Sequence, residues 1–516
     1  MRVGILDILS LPSRGLSETI SHWVLTKQYA GVTPQAVSVW CRQLGHDVHY
    51  AAYFGVGDPG RLLPRDLDVL FIACYTQASA LGYALSQLYR RGGTLTVLGG
   101  PHAKAFPHDC LRFFDLVVQE CDKQLIGDIL NKQFAPGSII SSESPLEDIP
   151  TVEERMPEIL RTAFFNRRWR SFMTTVPMLA SVGCPYNCNF CIDWDNPYRM
   201  LPAERLAEDL KFLAKRIPGG LIAFHDPNFG VRFDETLDVL EALPKKERPP
   251  YIMESSLSIL KGNRVSRLAD TNCVAVAPGI ESWAEFSKKA GAGHKEGAGK
   301  VTQVADHFAQ LYEHVPYLQA NFIFGLDTDA GEGPVELSCD FMDRTPYVWP
   351  TLNIPVPFGG TPLYDIMLSE KRILESMPFS FYYAPYLVTT IKNYEPAEYY
   401  RRLIRLFEFC ASRDMLRRRL KASRGWQVGT IHRVRTAFTR QAIGSYRRIL
   451  DMLENDRQFL DFHTGKTQEL PEFYYREQEM MLGRYAELLS KDDLKPDLRQ
   501  HEAPEPIGPL VSLTGK

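Results

Sequence analysis

Three cysteines stand close together in CPYNCNFC, residues 184–191. Three residues separate Cys184 from Cys188, and two separate Cys188 from Cys191. A structural zinc site takes four closed ligands, and no second cysteine pair or histidine pair lies nearby. A disulfide would leave one thiol over. An iron–sulfur cluster held by three thiolates leaves one iron open. That iron can bind and reduce a ligand, which a four-cysteine electron-transfer cluster cannot do. A zinc knuckle or chance clustering is the bland alternative.

The elements around the triplet say where it would sit. VGILDI, HDVHYAAY, LDVLFIACY, LTVLGG and FDLVVQE read as strands, with amphipathic helical stretches such as PQAVSVWCRQL and ALGYALSQLYRR between them. Strands alternating with helices predict a parallel, doubly wound α/β sheet over residues 1–135, whose ligands sit at the carboxyl ends of the strands. The loop GGPHAKAF, residues 99–106, lies at such an end. A polar stretch rich in Ser and Pro then predicts a linker over 136–170. A second alternating series follows over 171–375: PMLASVG, GLIAFHD, YIMESSL, CVAVAPGIES, LQANFIFGL and TLNIPVPF. Six strand–helix units predict a barrel or partial barrel. The triplet follows its first strand, at the carboxyl face where barrel sites are built. Residues 376–516 read as mainly helical.

Composition bounds the class. Hydrophobic residues are 45% and charged residues 23% of 516, an ordinary globular balance, and a net charge of -3 gives no field for nucleic acid. The N-terminus lacks the pattern of a signal peptide, and no apolar run is long enough to span a bilayer. Ten cysteines in so long a chain are no disulfide framework, so a reducing cytoplasm is expected.

CPYNCNFC resembles the CxxxCxxC signature of the radical S-adenosylmethionine (radical SAM) superfamily. Later stretches resemble that family's motifs in order: FHDPNF, GIES, FIFGL and PFGGTPLY. The doubly wound domain with its GGPHA loop resembles the cobalamin-binding subgroup. No D-x-H-x-x-G motif is present to supply a histidine to cobalt, and the acidic turn of the subgroup survives only as QECD with Glu120. The resemblance implies a Rossmann-like cobalamin-binding-type domain, a radical SAM partial (βα)6 barrel and a C-terminal helical domain. It implies Cys184, Cys188 and Cys191 as ligands of a [4Fe–4S] cluster. It places Phe190, Asp226, Glu254, Ser256, Glu281 and Ser282 about SAM, and Gly99, Gly100, Pro101 and His102 against cobalamin. The activity implied is reductive cleavage of SAM to a 5′-deoxyadenosyl radical, with methyl transfer to an unactivated carbon of a small-molecule or lipid-like substrate. An electron donor such as a reductase, ferredoxin or flavodoxin is then expected. A cyclase or oxidoreductase with an empty cobalamin domain, and an iron–sulfur redox sensor, are the alternatives.

Bland readings stand beside these. Asp226 and Asn228 suit an Asx turn. Glu254 and Ser256 alternate on the third strand and would share a face. Trp194 and Tyr198 suit core packing. FSFYYAPYL, residues 379–387, suits either closure of the cavity or interdomain packing. Between Arg401 and Arg448 fourteen basic residues face only Glu408 and Asp414. A solvated face, an anionic substrate group and peripheral membrane contact are all open there.

Overall fold

The computed structural model describes residues 1–24, 26–163, 175–286 and 288–498. The N-terminal sheet has strands β1 Arg2–Ile8, β2 Asp47–Tyr53, β3 Val69–Cys74, β4 Leu95–Gly99, β5 Leu116–Val118 and β6 Ser138–Ile140. All pair in parallel, in the order β2-β1-β3-β4-β5-β6. β1 is buried along almost its whole length, as a strand covered by helices on both faces must be. The chain reverses direction across the sheet between β1 and β3. Their carboxyl ends therefore diverge and leave a crevice.

The stretch expected as a linker is structured. β6 belongs to the sheet although it starts at Ser138, because a three-residue strand leaves too short a pattern to read. TVEE then opens a helix, Val152–Thr162, with a Thr151–Glu154 capping box. That helix buries Arg155 and Glu158, which bond Gln35, the Pro177 carbonyl and Ser38, so it joins the two sheets rigidly. The expected start of the barrel domain, residue 171, lies outside the described residues, as do 499–516.

The second sheet begins with β7 Thr175–Met178. A short antiparallel pair, β8 Ser181–Val182 and β9 Arg199–Met200, frames the cysteine loop. β10 Leu221–Phe224, β11 Tyr251–Met253, β12 Cys273–Val276, β13 Gly279–Glu281, β14 Tyr317–Ile323 and β15 Val348–Asn353 follow. The order β7-β10-β11-β12-β14-β15 makes six parallel strands, with β13 extending β12 alongside β14. CVAVAPGIES is thus two strands, separated by Ala277–Pro278. The last strand lies earlier than TLNIPVPF, because Pro355 and Pro357 cannot donate to a ladder.

Alternate residues of these strands meet helices or the interior. Val176, Ile222, Tyr251 and Leu318 are buried under helices. Pro177, Ala223, Ile252, Ala275 and Tyr317 form the opposite, inward layer in register. Three of the five are Pro or Ala, and Ile252, Ala275 and Tyr317 stay partly accessible, with Tyr317 bonded to Arg435 of the C-terminal helices.

The C-terminal unit is helical: Pro396–Cys410, Arg413–Ala422, Trp426–Asn455, Arg457–His463 and Glu472–Leu482. Ser412 caps the second of these through Met415 N, which separates it from the first. Most of the basic run is structural. Arg401, Arg402, Arg405, Arg418, Arg447 and Arg448 pair with carboxylates. Arg419 is fully buried over the Trp349 ring. The chain ends its described part back on the first unit, where the Tyr485 hydroxyl meets Asp58 and Gly60 N.

Candidate active site

The cysteine loop runs from β8 to β9 and is closed tightly at its neck. Gly183 has φ +70°, and a Cβ there would collide with the Pro197 carbonyl, so only glycine fits. Cys184 N donates to Asn196 O at 3.1 Å, and Cys191 N donates to Cys188 O at 3.1 Å. Four further ties fix the loop to distant elements. The Tyr186 hydroxyl bonds Ser258 Oγ at 2.7 Å. Leu363 N donates to Asn189 O at 2.8 Å. Trp194 Nε1 donates to Gly360 O at 2.7 Å, so Trp194 clips the loop to PFGGTPLY. Lys104 Nζ, on the GGPHAK segment, donates to Asn196 Oδ1 at 3.0 Å and to Glu120 at 2.9 Å. Glu120 of QECD thus helps to join the two units.

Asp226 is a strut. It is buried, and its carboxylate accepts from Ala180 N at 3.1 and 3.2 Å and from Ser181 Oγ at 2.6 Å. Burial pushes its carboxyl up to about 6, against those hydrogen bonds. It therefore holds the segment that launches the cysteine loop, and the SAM contact expected of it is replaced by this bracing. Asn228 is buried too, with its amide nitrogen unpartnered. Ser282 is likewise committed, to Asp329 Oδ1 at 3.2 Å. Ser256 is fully buried, 3.5 Å from the Tyr186 hydroxyl and 3.2 Å from Ser258 Oγ. It does not share a face with Glu254, because β11 ends at Met253 and the alternation ends with it.

Glu254 and Glu281 remain at the mouth. Glu254 is accessible yet deep in the protein, as a group lining open interior space must be. Burial pushes its carboxyl up, and Lys289 opposes this. Glu281 is nearly buried in a left-handed conformation, φ +65°, which is rare for a side chain of this kind and marks functional sites. A Cβ on Gly279 would overlap its carboxylate. Burial pushes Glu281 up to about 7, opposed by Lys289 and raised further by Glu254.

Lys289 is the residue that sequence reading missed. Burial works against its charge. Cys188, Cys184, Cys191 and Glu281 together outweigh that and hold it protonated. One cation thus lies in the field of all three thiols and both carboxylates. A lone lysine in KKAGAG carries no signal of this. Phe190 stacks on Phe286, centroids 5.6 Å apart at 18°.

The donor set, three thiols on one loop, is of the kind that holds an iron–sulfur cluster. Among the described residues no three Cys, His, Asp or Glu side chains close around one ion. Cys184 is buried, and Cys188 and Cys191 are partly exposed, so the loop opens toward the barrel mouth.

On the other side of the loop is a cavity of about 830 Å³. It fills the crevice between β1 and β3. Asp7, Gly99, Gly100, Pro101 and Lys104 line it from the first unit, and Gly183, Asp193, Tyr198 and His225 from the second. Gly100 has φ +88°, and a Cβ there would press on the Cys74 backbone at 3.4 Å. Its glycine serves the strand turn. Gly99 has no such constraint, since a Cβ would meet only Val118 O at 3.8 Å, and it borders the open space. Glycine there widens the cavity.

His102 does not reach this cavity. It is fully buried, with Nε2 2.6 Å from the Tyr83 hydroxyl, and it packs among Phe106 and Phe379. The short helix it begins turns its side chain under the sheet. The Phe379 ring, in FSFYYAPYL, packs against Phe106 with centroids 3.8 Å apart and planes tilted by 35°, so that aromatic segment is interdomain packing.

Glu281 gives a pH prediction. Its ordinary value is 4.5 and its folded value about 7. Below 4.5 the group is protonated in both states and costs nothing. As pH rises from 4.5 to 7 the unfolded chain releases the proton first, and the fold loses up to roughly 3 kcal/mol. In cluster-free protein, Glu281→Gln is expected to raise unfolding free energy by up to about that amount above pH 7 and to change little below pH 4.5. Urea unfolding at the two pH values measures it.

The radical SAM superfamily model matches residues 178–325, the stretch from β7 through β14. The bacteriochlorophyllide d C-8(2)-methyltransferase of Chlorobaculum tepidum is 24% identical over 348 residues, 64% of this chain and 75% of that protein. The radical SAM methyltransferase TsrM from Kitasatospora setae, solved with cobalamin and a [4Fe–4S] cluster bound, superposes with TM-score 0.51 at 13% identity, over 73% of this chain and 76% of that one. The cobalamin-dependent SAM radical enzyme OxsB superposes with TM-score 0.56 at 12% identity, over 96% and 82%. With the cysteine loop at the mouth of a six-strand partial barrel, behind a doubly wound parallel sheet, the chain carries a radical SAM superfamily domain over residues 178–325 and shares the fold of solved cobalamin-dependent radical SAM enzymes.

Proposed function

We propose that the protein is a cobalamin-dependent radical SAM methyltransferase acting on an unactivated carbon of an apolar small molecule. The observation that carries this reading is the shared cavity, which lies at the switch point of one sheet and opens on the cysteine loop of the other. Its volume is near the top of the usual range for ligand sites, about 300–1,000 Å³, and suits a large cofactor. When bound, the cluster with SAM supplies a 5′-deoxyadenosyl radical and the corrinoid supplies a methyl group.

The chain's own residues have separate tasks. Cys184, Cys188 and Cys191 present thiolates, and Lys289 offsets their charge. Glu281 and Glu254 offer carboxylates to the amino and hydroxyl groups of SAM, and Phe190 flanks it. Asp226 and Tyr186 keep the loop in place. Lys104 holds the GGPHAK segment against the loop, so the two cofactor sites keep a fixed separation. Gly99 and Pro101 border the corrinoid. The small inward residues Pro177, Ala223 and Ala275 would leave room for substrate in the barrel, and a closed barrel would exclude bulk water. A protein electron donor would reach the cluster from outside the loop. The Chlorobaculum relative, a bacteriochlorophyllide d methyltransferase, has an activity of the same kind.

Gly99→Val tests the corrinoid site. The added side chain enters the cavity without straining the backbone. It is expected to lower corrinoid retained after gel filtration about tenfold or more, with iron per chain unchanged. Unchanged corrinoid in this variant, or none in the wild type, would contradict the reading. Gly100→Val is the poorer probe, because its positive φ makes any side chain strained.

A further inference from the structure

The helix Trp426–Asn455 turns Val428, His432, Thr436, Ile443 and Tyr446 inward. Its outer side carries large exposed apolar side chains among polar ones. Trp426 is 75% exposed, Ile431 40% and Val434 38%. They fall on one side of the helix, and half-buried Phe438 continues it. Polar residues usually occupy such a face.

Beside it runs a basic row. Arg413, Arg417 and Lys421 follow at i, i+4 and i+8 on the helix Arg413–Ala422 and are exposed. Among the described residues none of them has a carboxylate partner, nor has exposed Arg433, whereas Arg401, Arg405, Arg418, Arg447 and Arg448 each have one. Leu420 lies 3.5 Å from where a Cβ on Gly429 would stand, so the two helices pack side by side. The basic row thus lies on the helix packed against the one that carries the exposed apolar side chains.

We propose that this surface docks on an anionic lipid membrane. A tryptophan and branched aliphatics beside unpaired arginines and a lysine match the layering of a membrane interface. The apolar groups enter the acyl boundary while the cations meet headgroup phosphates. Charge complementarity decides the occupant: a second copy of the chain would bring the same positive row against itself and be repelled. No helix among the described residues is long and apolar enough to cross a membrane, so the contact is peripheral. The inference does not depend on the corrinoid, although a membrane-borne apolar substrate would be at hand.

Flotation of the full chain tests it, with vesicles of phosphatidylcholine alone and of equal parts phosphatidylcholine and phosphatidylglycerol. The wild type is expected to float with the anionic vesicles only, and to be released as salt shortens the screening length from about 10 Å to about 3 Å. Each basic residue at such a surface raises partition roughly fivefold. Arg413→Glu with Arg417→Glu and Lys421→Glu should then lower it by about a hundredfold or more. Trp426→Ser should lower it several-fold with charge unchanged. Lys211→Glu with Lys215→Glu and Arg216→Glu, on an exposed barrel helix, carries the same net change and should leave binding intact. Failure of the wild type to float, equal binding to both vesicle types, or equal loss in the barrel-helix variant would each overturn the proposal.

Discussion

Replacing any one of Cys184, Cys188 or Cys191 with alanine is expected to abolish 5′-deoxyadenosine formation and to remove most of the iron. Three thiolates are the smallest set that holds a cubane and still leaves an iron open. The loop cannot recruit a substitute. Its neck is closed by Gly183 against Pro197, and its flanks are tied to Ser258, Gly360 and Leu363. The other seven cysteines are elsewhere, most of them buried in packing. SAM cleavage should fall by at least about a thousandfold in each variant, to the background of reductant alone. The fold should survive, since the thiols are not part of the hydrophobic core around β7. Iron content, the charge-transfer absorbance of the cluster and circular dichroism measure the three effects. A Cys188→Ala protein with full iron and normal cleavage would show that the cluster is held in another way.

Asp226→Ala is expected to give the second-largest effect, and by another route. The carboxylate touches none of the thiols. It accepts from Ala180 N and from Ser181 Oγ, where β7 gives way to the cysteine loop. Alanine would leave these buried donors unpaired, at about 1–3 kcal/mol each. Unfolding free energy should fall by roughly 2–4 kcal/mol. Iron loading should fall several-fold, because the loop loses its anchor. Asp226→Asn keeps one acceptor oxygen and should lie between. The wild-type carboxyl titrates at about 6, raised from 3.8 by burial. As pH rises from 3.8 to 6 the unfolded chain releases its proton first, so the wild type loses up to roughly 3 kcal/mol of stability that Asp226→Asn does not lose. The advantage of wild type over Asp226→Asn should therefore be widest near pH 4 and shrink above pH 6, as read by urea unfolding with parallel iron assays. Full iron and unchanged stability in Asp226→Ala would show that the loop is placed without this strut.

The fold was largely legible because its strands are buried on both faces. Continuous apolar runs such as VLFIAC and LTVLG leave no other reading between helical stretches. The three cysteines were legible because their spacing is local. What escaped has physical reasons. Asp226 looked like a ligand group, but its partners are a backbone N–H and a hydroxyl on a neighbouring strand, which no local pattern reveals. His102 looked available in GGPHA, but its environment comes from Tyr83 and from Phe379 in the C-terminal part of the chain. Lys289 acts only because the loop after GIES folds over the thiols. Ser138–Ile140 and the helix after Thr151 were read as linker because polar residues surround them, although the Thr151–Glu154 capping box was visible in TVEE. The basic run misled by number alone. Six of its arginines pair with carboxylates and others are held by packing or carbonyls, and only the arrangement in space separates the row Arg413, Arg417, Lys421 from the rest.

The central claim is that two cofactor sites meet in one cavity and that the chemistry is methyl transfer. A single-turnover experiment tests it most directly. Wild-type protein, reconstituted anaerobically with iron, sulfide and hydroxocobalamin and freed of excess corrinoid, is mixed with a reductant and SAM, and its nucleoside products are counted. The account predicts S-adenosylhomocysteine in an amount equal to the retained corrinoid, and 5′-deoxyadenosine that disappears in Cys188→Ala. 5′-Deoxyadenosine without retained corrinoid and without S-adenosylhomocysteine would contradict it.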